Sequence, residues 1–314
     1  MNTTNYFSYP AKQKVCILYT LKCSATCSHC IVKSSPYRSE KFELGVAKEI
    51  VYQSSINGKK VLILSGGEVF LFYNEILELT RHASQCGLDV WIETNGYWAS
   101  SIEVTSHRIK KLVDAGLSAL FVSYDYFHMP YVPFERISNI MDCACSVNLK
   151  CEIMFTPSTN PDEDNRICDT LLARDYPFYK DELLPYGGAR EMFQDESPKS
   201  FQDISCCCSM TTTFLPDGEV YACCNISSDN SRLRSTPVYL GNAESCAVSE
   251  LLTRERENKF LDVISQEDTL QKLLERLSEK EILSKNADKL YTICDYCVHI
   301  ASDATCLQTL AEMK

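Results

Sequence analysis

Six short apolar runs, separated by stretches in which apolar residues recur every three or four positions, constrain this chain more than any other feature of its sequence. The runs are Val15 to Tyr19, Lys60 to Leu64, Leu88 to Glu93, Leu117 to Ser123, Cys151 to Phe155 and Glu182 to Pro185. Strand-like runs alternating with helical periods mark βα units around a parallel sheet. Between the runs, Leu44, Ala47, Ile50 and Val51 share one helix face, and Ile137, Ile140, Met141 and Ala144 share another. Gly87 and Gly116 stand where two further helices need a C-terminal cap. Sheets of this kind place ligands beyond the carboxyl ends of their strands, so the residues just after each run are the ones to read for chemistry.

With 314 residues, 45% of them hydrophobic, the chain can bury one large core or two smaller ones. The βα pattern gives way near residue 200 to a cysteine-rich hairpin, a charged helical stretch and a second cysteine pair. The expected division is a catalytic domain over 1–200 and an appended module over 201–314. In the hairpin, Thr213-Phe214-Leu215 and Val220-Tyr221-Ala222 flank Pro216-Asp217-Gly218-Glu219, whose Asp-Gly step supplies a left-handed turn residue. Leu270, Leu273, Leu274 and Leu277 then mark a helix face.

A net charge of -11 repels a phosphate backbone, and no basic run overrides it, so nucleic acid is excluded as a partner. The stretch from Met1 to Lys14 is polar, and no later segment has the length and apolarity to cross a bilayer, so no membrane association and a cytoplasmic location are expected. In a reducing compartment the 18 cysteines point to metal or redox chemistry in place of a disulfide framework. One group is Cys23, Cys27 and Cys30; another is Cys206, Cys207, Cys208, Cys223 and Cys224; a pair is Cys294 and Cys297. The isolated Cys16, Cys86, Cys143, Cys145, Cys151 and Cys168 fall in apolar or helical contexts, where a thiol is usually a small buried hydrophobe.

The segment Cys23-Ser-Ala-Thr-Cys27-Ser-His-Cys30 follows the first strand, and its spacing lets three thiolates converge from one tight loop. Three cysteines leave one iron of a four-iron cluster open to a cofactor. Spacing alone also leaves open a Cys₃His zinc site, with a fourth ligand from His29 or elsewhere, as the lesser alternative.

Cys-x3-Cys-x2-Cys at this place resembles the signature of the radical S-adenosylmethionine (SAM) superfamily, and further similarities follow at the strand ends. Ser65-Gly66-Gly67-Glu68 resembles the family motif that holds the methionyl ammonium, with glycines for close backbone approach and a carboxylate for the cation. Glu93-Thr94-Asn95-Gly96 and Ser123-Tyr124-Asp125 end the third and fourth runs, where relatives place polar groups on the ribose and carboxylate of SAM. Pro185-Tyr186-Gly187-Gly188 follows the sixth, where family backbone meets adenine. His29 departs from the aromatic residue many members carry beside the last cysteine. The resemblance implies an α/β fold, a partial (β/α)6 barrel, in which Cys23, Cys27 and Cys30 hold a SAM-binding 4Fe-4S cluster. Gly66, Gly67, Glu68, Asn95, Ser123, Asp125 and Gly187 would then contact SAM.

The later cysteines are open between an iron-sulfur cluster and a Cys₄ zinc ribbon on their own. Beside the first motif they resemble a SPASM or twitch extension, which implies one auxiliary 4Fe-4S cluster on Cys207, Cys223, Cys294 and Cys297. The choice among Cys206, Cys207 and Cys208 rests on comparison with the YydG-type peptide epimerases. That family resembles this chain through Gly66-Gly67-Glu68-Val69-Phe70-Leu71, Ser123-Tyr124-Asp125 with His128, and Asp217-Gly218-Glu219-Val220-Tyr221-x-Cys223-Cys224. It implies L-to-D epimerisation of a ribosomally made peptide, with Cys224 as a neutral-thiol hydrogen donor. It also implies a low-potential electron donor such as flavodoxin or ferredoxin as partner. Two alternatives stand beside it: a peptide maturase forming a thioether or carbon-carbon crosslink, and a non-catalytic zinc or iron-sulfur module in which Cys224 is a spare ligand.

Overall fold

The computed structural model describes residues 9–193, 211–223, 233–264, 269–279 and 293–312. Six strands, β1 (Lys14–Thr20), β2 (Val61–Gly66), β3 (Asp89–Thr94), β4 (Leu117–Ser123), β5 (Lys150–Phe155) and β6 (Phe178–Lys180), lie parallel in sequence order. Helices α1 (Leu44–Ile56), α2 (Tyr73–Gln85), α3 (Ile102–Asp114), α4 (Phe134–Ser146) and α5 (Pro161–Ala173) connect them. The α/β fold expected from the alternating pattern is therefore the observed one.

All seven residues of β1 are buried, which requires cover on both faces of the sheet. Val15, Ile17 and Tyr19 join Leu62, Leu64, Val90 and Ile92 beneath the helices, while Cys16 and Leu18 join Ile63, Trp91 and Phe121 on the opposite face. Burying each such side chain stabilises the fold by about 1.5–3 kcal/mol.

The helix ends follow one chemical rule. Gly58, Gly87, Gly116, Asn148 and Asp175 each take a positive φ within two residues of a helix end. After four of the five helices the next amide closes a bond back across the last turn: Lys59 N to Ser54 O, Leu88 N to Ala83 O, Leu149 N to Ala144 O and Tyr176 N to Leu171 O. Each closure turns the chain directly into the following strand.

The sixth strand differs from the sequence expectation. Pairing with β5 falls on Phe178, Tyr179 and Lys180, opposite Ile153, Met154 and Phe155, and not on Glu182 to Pro185. Two aromatic residues favour the extended edge position, whereas Pro185 has no amide to give a ladder. Cys145 also departs from the buried reading: it is exposed, one residue and about a quarter-turn past the core-facing Ala144, while Cys16, Cys143, Cys151 and Cys168 are buried.

Strands β7 (Thr212–Phe214), β8 (Glu219–Tyr221) and β9 (Tyr239–Asn242) continue the same sheet, β7 parallel to β1 and β8 antiparallel to both β7 and β9. The turn has Gly218 at φ +81 and the Asp217 carboxylate accepting from Glu219 N at 3.1 Å, as the Asp-Gly step requires. Among the described residues five helices follow: α6 (Val248–Arg256), α7 (Lys259–Ile264), α8 (Thr269–Glu279), α9 (Ile293–Ser302) and α10 (Ala304–Ala311). Leu273, Leu274 and Leu277 are fully buried on α8. No described helix is long and apolar enough to cross a membrane.

Candidate functional site

The carboxyl ends of the strands open onto a cavity of about 330 Å³. Cys23, Cys27 and Cys30 line it together with Ser65, Gly66 and Gly67 after β2, Glu93, Thr94 and Asn95 after β3, and Ser123 after β4. Cys223 and Cys297 line the same cavity, although they lie far from the first three in sequence. Leu183, Leu184, Val238 and Ile264 make an aliphatic wall.

The cysteine loop is closed by its own backbone. Cys30 N donates to Cys27 O at 3.0 Å, Lys33 N to Cys30 O at 3.2 Å and Cys23 N to Ser35 O at 3.0 Å. Donors are also aimed at sulfur: Ser34 N reaches Cys30 Sγ at 3.3 Å, and Asn95 Nδ2 reaches Cys23 Sγ at 3.6 Å. Burial pushes the Cys23 thiol up to about 12, so only a bound cation would make it a thiolate at neutral pH. Three soft sulfurs with N–H donors directed at two of them suit an iron-sulfur cluster with one open iron. Zinc would need a fourth ligand. His29 is the nearest by sequence: it lines the cavity with its ring stacked on Phe127 at 4.3 Å and its buried Nδ1 without a hydrogen-bond partner among the described residues.

Two glycines bring the β2 end against this loop. A Cβ on Gly67 would stand 2.2 Å from the Lys22 carbonyl oxygen, and one on Gly66 would stand 2.3 Å from that of Thr20. The approach lets Gly67 N donate to Thr20 O at 2.6 Å and Glu68 N to Lys22 O at 2.8 Å. Gly187, at φ +57, makes a second close approach: its Cβ would meet Ile31 O at 2.1 Å, and Gly188 N donates to Cys30 O at 2.9 Å.

The structure divides the residues expected to contact SAM into two sets. Gly66, Gly67, Asn95 and Ser123 face the cavity, whereas Glu68, Asp125 and Gly187 are absent from its lining. Glu68 is completely buried and accepts from Phe70 N at 2.9 Å, Thr94 Oγ1 at 2.9 Å and Asn95 N at 2.8 Å, tying the β2 and β3 ends together. Its burial pushes the carboxyl up to about 7, against the downward pull of those donors. Among the strand-end motif residues the acid that lines the cavity is Glu93, whose Oε2 accepts from Ser65 Oγ at 2.5 Å; Asp181 and Glu182 line it from beyond β6. Strand alternation could have found it, because Glu93 lies two residues from Trp91, which packs on the cavity-side face of the sheet.

Asp125 organises the turn after β4. Its Oδ1 accepts from Phe127 N at 2.9 Å, His128 N at 3.1 Å and His128 Nδ1 at 2.9 Å. Burial opposes charge on both partners, but each holds the other ionised: His128 is raised well above its ordinary value and Asp125 is lowered. Cys27 also contributes to raising His128. His29, lowered to about 4 by burial, is neutral at pH 7, so its 3.9 Å approach to Asp125 is no ion pair. Tyr131 completes the clasp through 2.9 Å bonds to the hydroxyl and carbonyl of Thr26.

Around the second cysteine group, Cys297 on α9 is raised to about 11 by burial. Cys206, Cys207, Cys208 and Cys224 lie outside the described residues, as does the side chain of Cys294. The displaced sixth strand puts Asp181 to Leu184, and not Gly187, at the cavity.

Residues 17–164 match the family described as the Radical SAM superfamily. The Bacillus subtilis (strain 168) peptide biosynthesis protein YydG is 25% identical over 215 residues, 65% of this chain and 66% of that protein. The AdoMet-dependent heme synthase of Methanosarcina barkeri is 33% identical over 107 residues, 34% of this chain and 29% of that protein. The matched residues thus span just under two thirds of the first relative and under a third of the second. Among solved structures, "Native anSMEcpe with bound AdoMet and Cp18Cys peptide" superposes with TM-score 0.55 at 14% identity, covering 96% of this chain and 99% of that one. That likeness is one of fold.

Proposed function

We propose that this chain is a radical SAM enzyme that acts on a peptide and inverts a Cα centre from L to D. The observation that carries the reading is one cavity shared by the two cysteine groups, with Cys23, Cys27 and Cys30 in one part of its wall and Cys223 and Cys297 in another. A substrate held between them can lose a hydrogen atom toward one group and regain one from the other. Similarity to YydG, a peptide biosynthesis protein, favours a peptide as that substrate.

In this reading Cys23, Cys27 and Cys30 hold the SAM-binding 4Fe-4S cluster. When bound, the cluster and SAM supply a 5'-deoxyadenosyl radical. Gly66 and Gly67 let the cofactor approach the backbone, and Glu93, positioned by Ser65, offers a carboxylate to a cationic group. Ser123 and Asn95 are the polar groups at the neighbouring strand ends. Glu68 and Asp125 act through others: Glu68 fixes the β2 and β3 ends, and Asp125 holds His128 against the cysteine loop. The aliphatic wall from Leu183 to Ile264 excludes water from a carbon-centred radical.

Cys223 and Cys297, with Cys207 and Cys294, hold an auxiliary 4Fe-4S cluster. Cys224, adjacent to the cavity-lining Cys223, gives its hydrogen atom to Cα. An electron from a flavodoxin- or ferredoxin-type carrier and a proton restore that thiol. Cys224 must stay protonated to act, which suits an ordinary or raised thiol pKa.

Turnover in deuterium oxide tests the proposal. The expected product carries one non-exchangeable deuteron at Cα of the inverted residue, with one SAM consumed per inversion. A Cys224→Ala variant is expected to make 5'-deoxyadenosine without inversion. Product lighter by two hydrogens would identify a crosslinking maturase, and full inversion by Cys224→Ala would remove the donor assignment.

A further inference from the structure

We infer that Tyr186 is a positioning residue that ties the cysteine pair of α9 to the three-cysteine loop and so fixes the span across which a substrate sits. The inference rests on the reading that both cysteine groups hold clusters and act on one substrate from two parts of the cavity wall.

The segment after β6 serves both groups at once. Asp181, Glu182, Leu183 and Leu184 form part of the cavity wall. The chain then turns tightly, with Tyr186 N donating to Leu184 O at 2.8 Å and Ala189 N to Tyr186 O at 3.1 Å. Gly187 and Gly188 seat this turn on the cysteine loop. A Cβ on Gly187 would stand 2.1 Å from Ile31 O, one on Gly188 would stand 2.3 Å from Ser28 O, and Gly188 N bonds Cys30 O at 2.9 Å. The two backbones lie too close for a side chain between them, so the turn cannot slide past Cys30 without breaking that bond.

From the seated turn, the Tyr186 ring reaches α9. Its hydroxyl donates to Asp295 Oδ1 at 2.8 Å, across 109 positions of sequence. Asp295 stands in the first turn of α9, between Cys294 and Cys297, and Cys297 lines the cavity. Tyr296, Ile300 and Ala301 bury the other side of the helix in the core. Two hydrogen bonds and one rigid ring therefore join Cys30 to the helix that carries Cys297. Tyr186 and Asp295 are both absent from the cavity lining, so each acts through the cysteines beside it. A phenol bonded to a carboxylate is one of the stronger hydrogen bonds, and it offsets charge next to two proposed ligands, where such outer contacts tune a cluster.

Inversion makes the span matter. The abstracting and returning groups must meet opposite faces of one Cα centre, and a drift of α9 approaching 1 Å is enough to spoil that alignment.

The test uses the reconstituted full chain with SAM, reduced by dithionite, and needs no peptide. In Tyr186→Phe, hydrogen exchange at the amides of α9 should speed up about tenfold, because the tie is gone. Pulsed electron paramagnetic resonance should show a broader distribution of distances between the two reduced clusters. The auxiliary cluster should also become harder to reduce, as the Asp295 charge loses its donor. Asp295→Asn keeps an oxygen that accepts from Tyr186, so it should retain the parent's exchange and distances while making that cluster easier to reduce. Tyr176→Phe removes a matched phenol-carboxylate bond, 2.8 Å to Asp142 Oδ1 at an exposed site, and should match the parent in all three readouts. Parent-like exchange and distances in Tyr186→Phe, the same changes in Tyr176→Phe, or a loosened α9 in Asp295→Asn would each overturn the inference. Failure of the functional reading is distinguishable, since the parent protein would then bind about four irons per chain in place of about eight and show no second reduced cluster.

Discussion

At Gly67 the space for one methyl group decides whether the β2 end can meet the cysteine loop. Gly67→Ala would press a carbon against the Lys22 carbonyl at 2.2 Å, so the backbone must move. A shift approaching 1 Å there is expected to lower SAM cleavage about 100-fold, together with the melting temperature. Assays of 5'-deoxyadenosine and thermal unfolding check both. Glu68 makes a prediction about pH. Its folded carboxyl, near 7, lies above the ordinary value of 4.5, so the folded state binds that proton more tightly. The resulting stabilisation, on the order of 3 kcal/mol, is complete below about pH 4.5 and is lost as pH rises through 7. Urea unfolding across that window should show a downward slope that Glu68→Gln flattens; an unchanged slope in the variant would refute the assignment. Both residues belong to a motif plain in the sequence, yet Glu93 and not Glu68 reaches the cavity. A one-dimensional motif shows that an acid follows two glycines, and only the β3 neighbours show which way it turns.

Secondary elements are joined by a buried ion pair that no local pattern announces. Lys59, just before β2, places Nζ 2.6 Å from the Glu255 carboxylate of α6 and 2.8 Å from both Lys12 O and Thr212 Oγ1 of β7. Both residues are 4% exposed, and burial lowers the Lys59 pKa despite its partner. Removing either charge alone leaves the other stranded. Glu255→Met or Lys59→Met is therefore expected to cost about 3–5 kcal/mol, and the double variant markedly less than their sum. Chemical denaturation of the four proteins gives the coupling directly. The sixth strand teaches the same lesson about elements. An apolar stretch from Glu182 to Pro185 has the composition of a strand, but pairing with β5 chose Phe178 to Lys180, and the apolar residues went to the cavity wall.

At the scale of the molecule, β1 lies inside a sheet that has nine strands among the described residues, and not at the edge of a six-stranded one. Val15, Cys16 and Ile17 pair with Thr212, Thr213 and Phe214, so the C-terminal hairpin covers an edge that would otherwise be a row of unpaired backbone groups. Residues 1–200 produced alone are expected to aggregate, as light scattering would show, whereas the full chain stays dispersed. A monodisperse fragment with the parent's thermal transition would refute this. The same pairing brings Cys223 to the cavity that Cys23, Cys27 and Cys30 line.

The alternation of strand and helix, the helix-ending Gly87 and Gly116, the Asp-Gly hairpin and the three-cysteine loop were all legible in the amino-acid order. Each depends on neighbours within a turn or a strand, where steric and hydrogen-bonding preferences act over a few residues. The meeting of Cys223 and Cys297 with the first cysteine group depends on strand pairing and packing between distant segments. So do the turning of Glu68 away from the cavity and of Glu93 toward it, and the burial of Lys59 against Glu255. Those outcomes belong to the folded chain, because the free energy that selects them comes from surfaces that touch only after it closes.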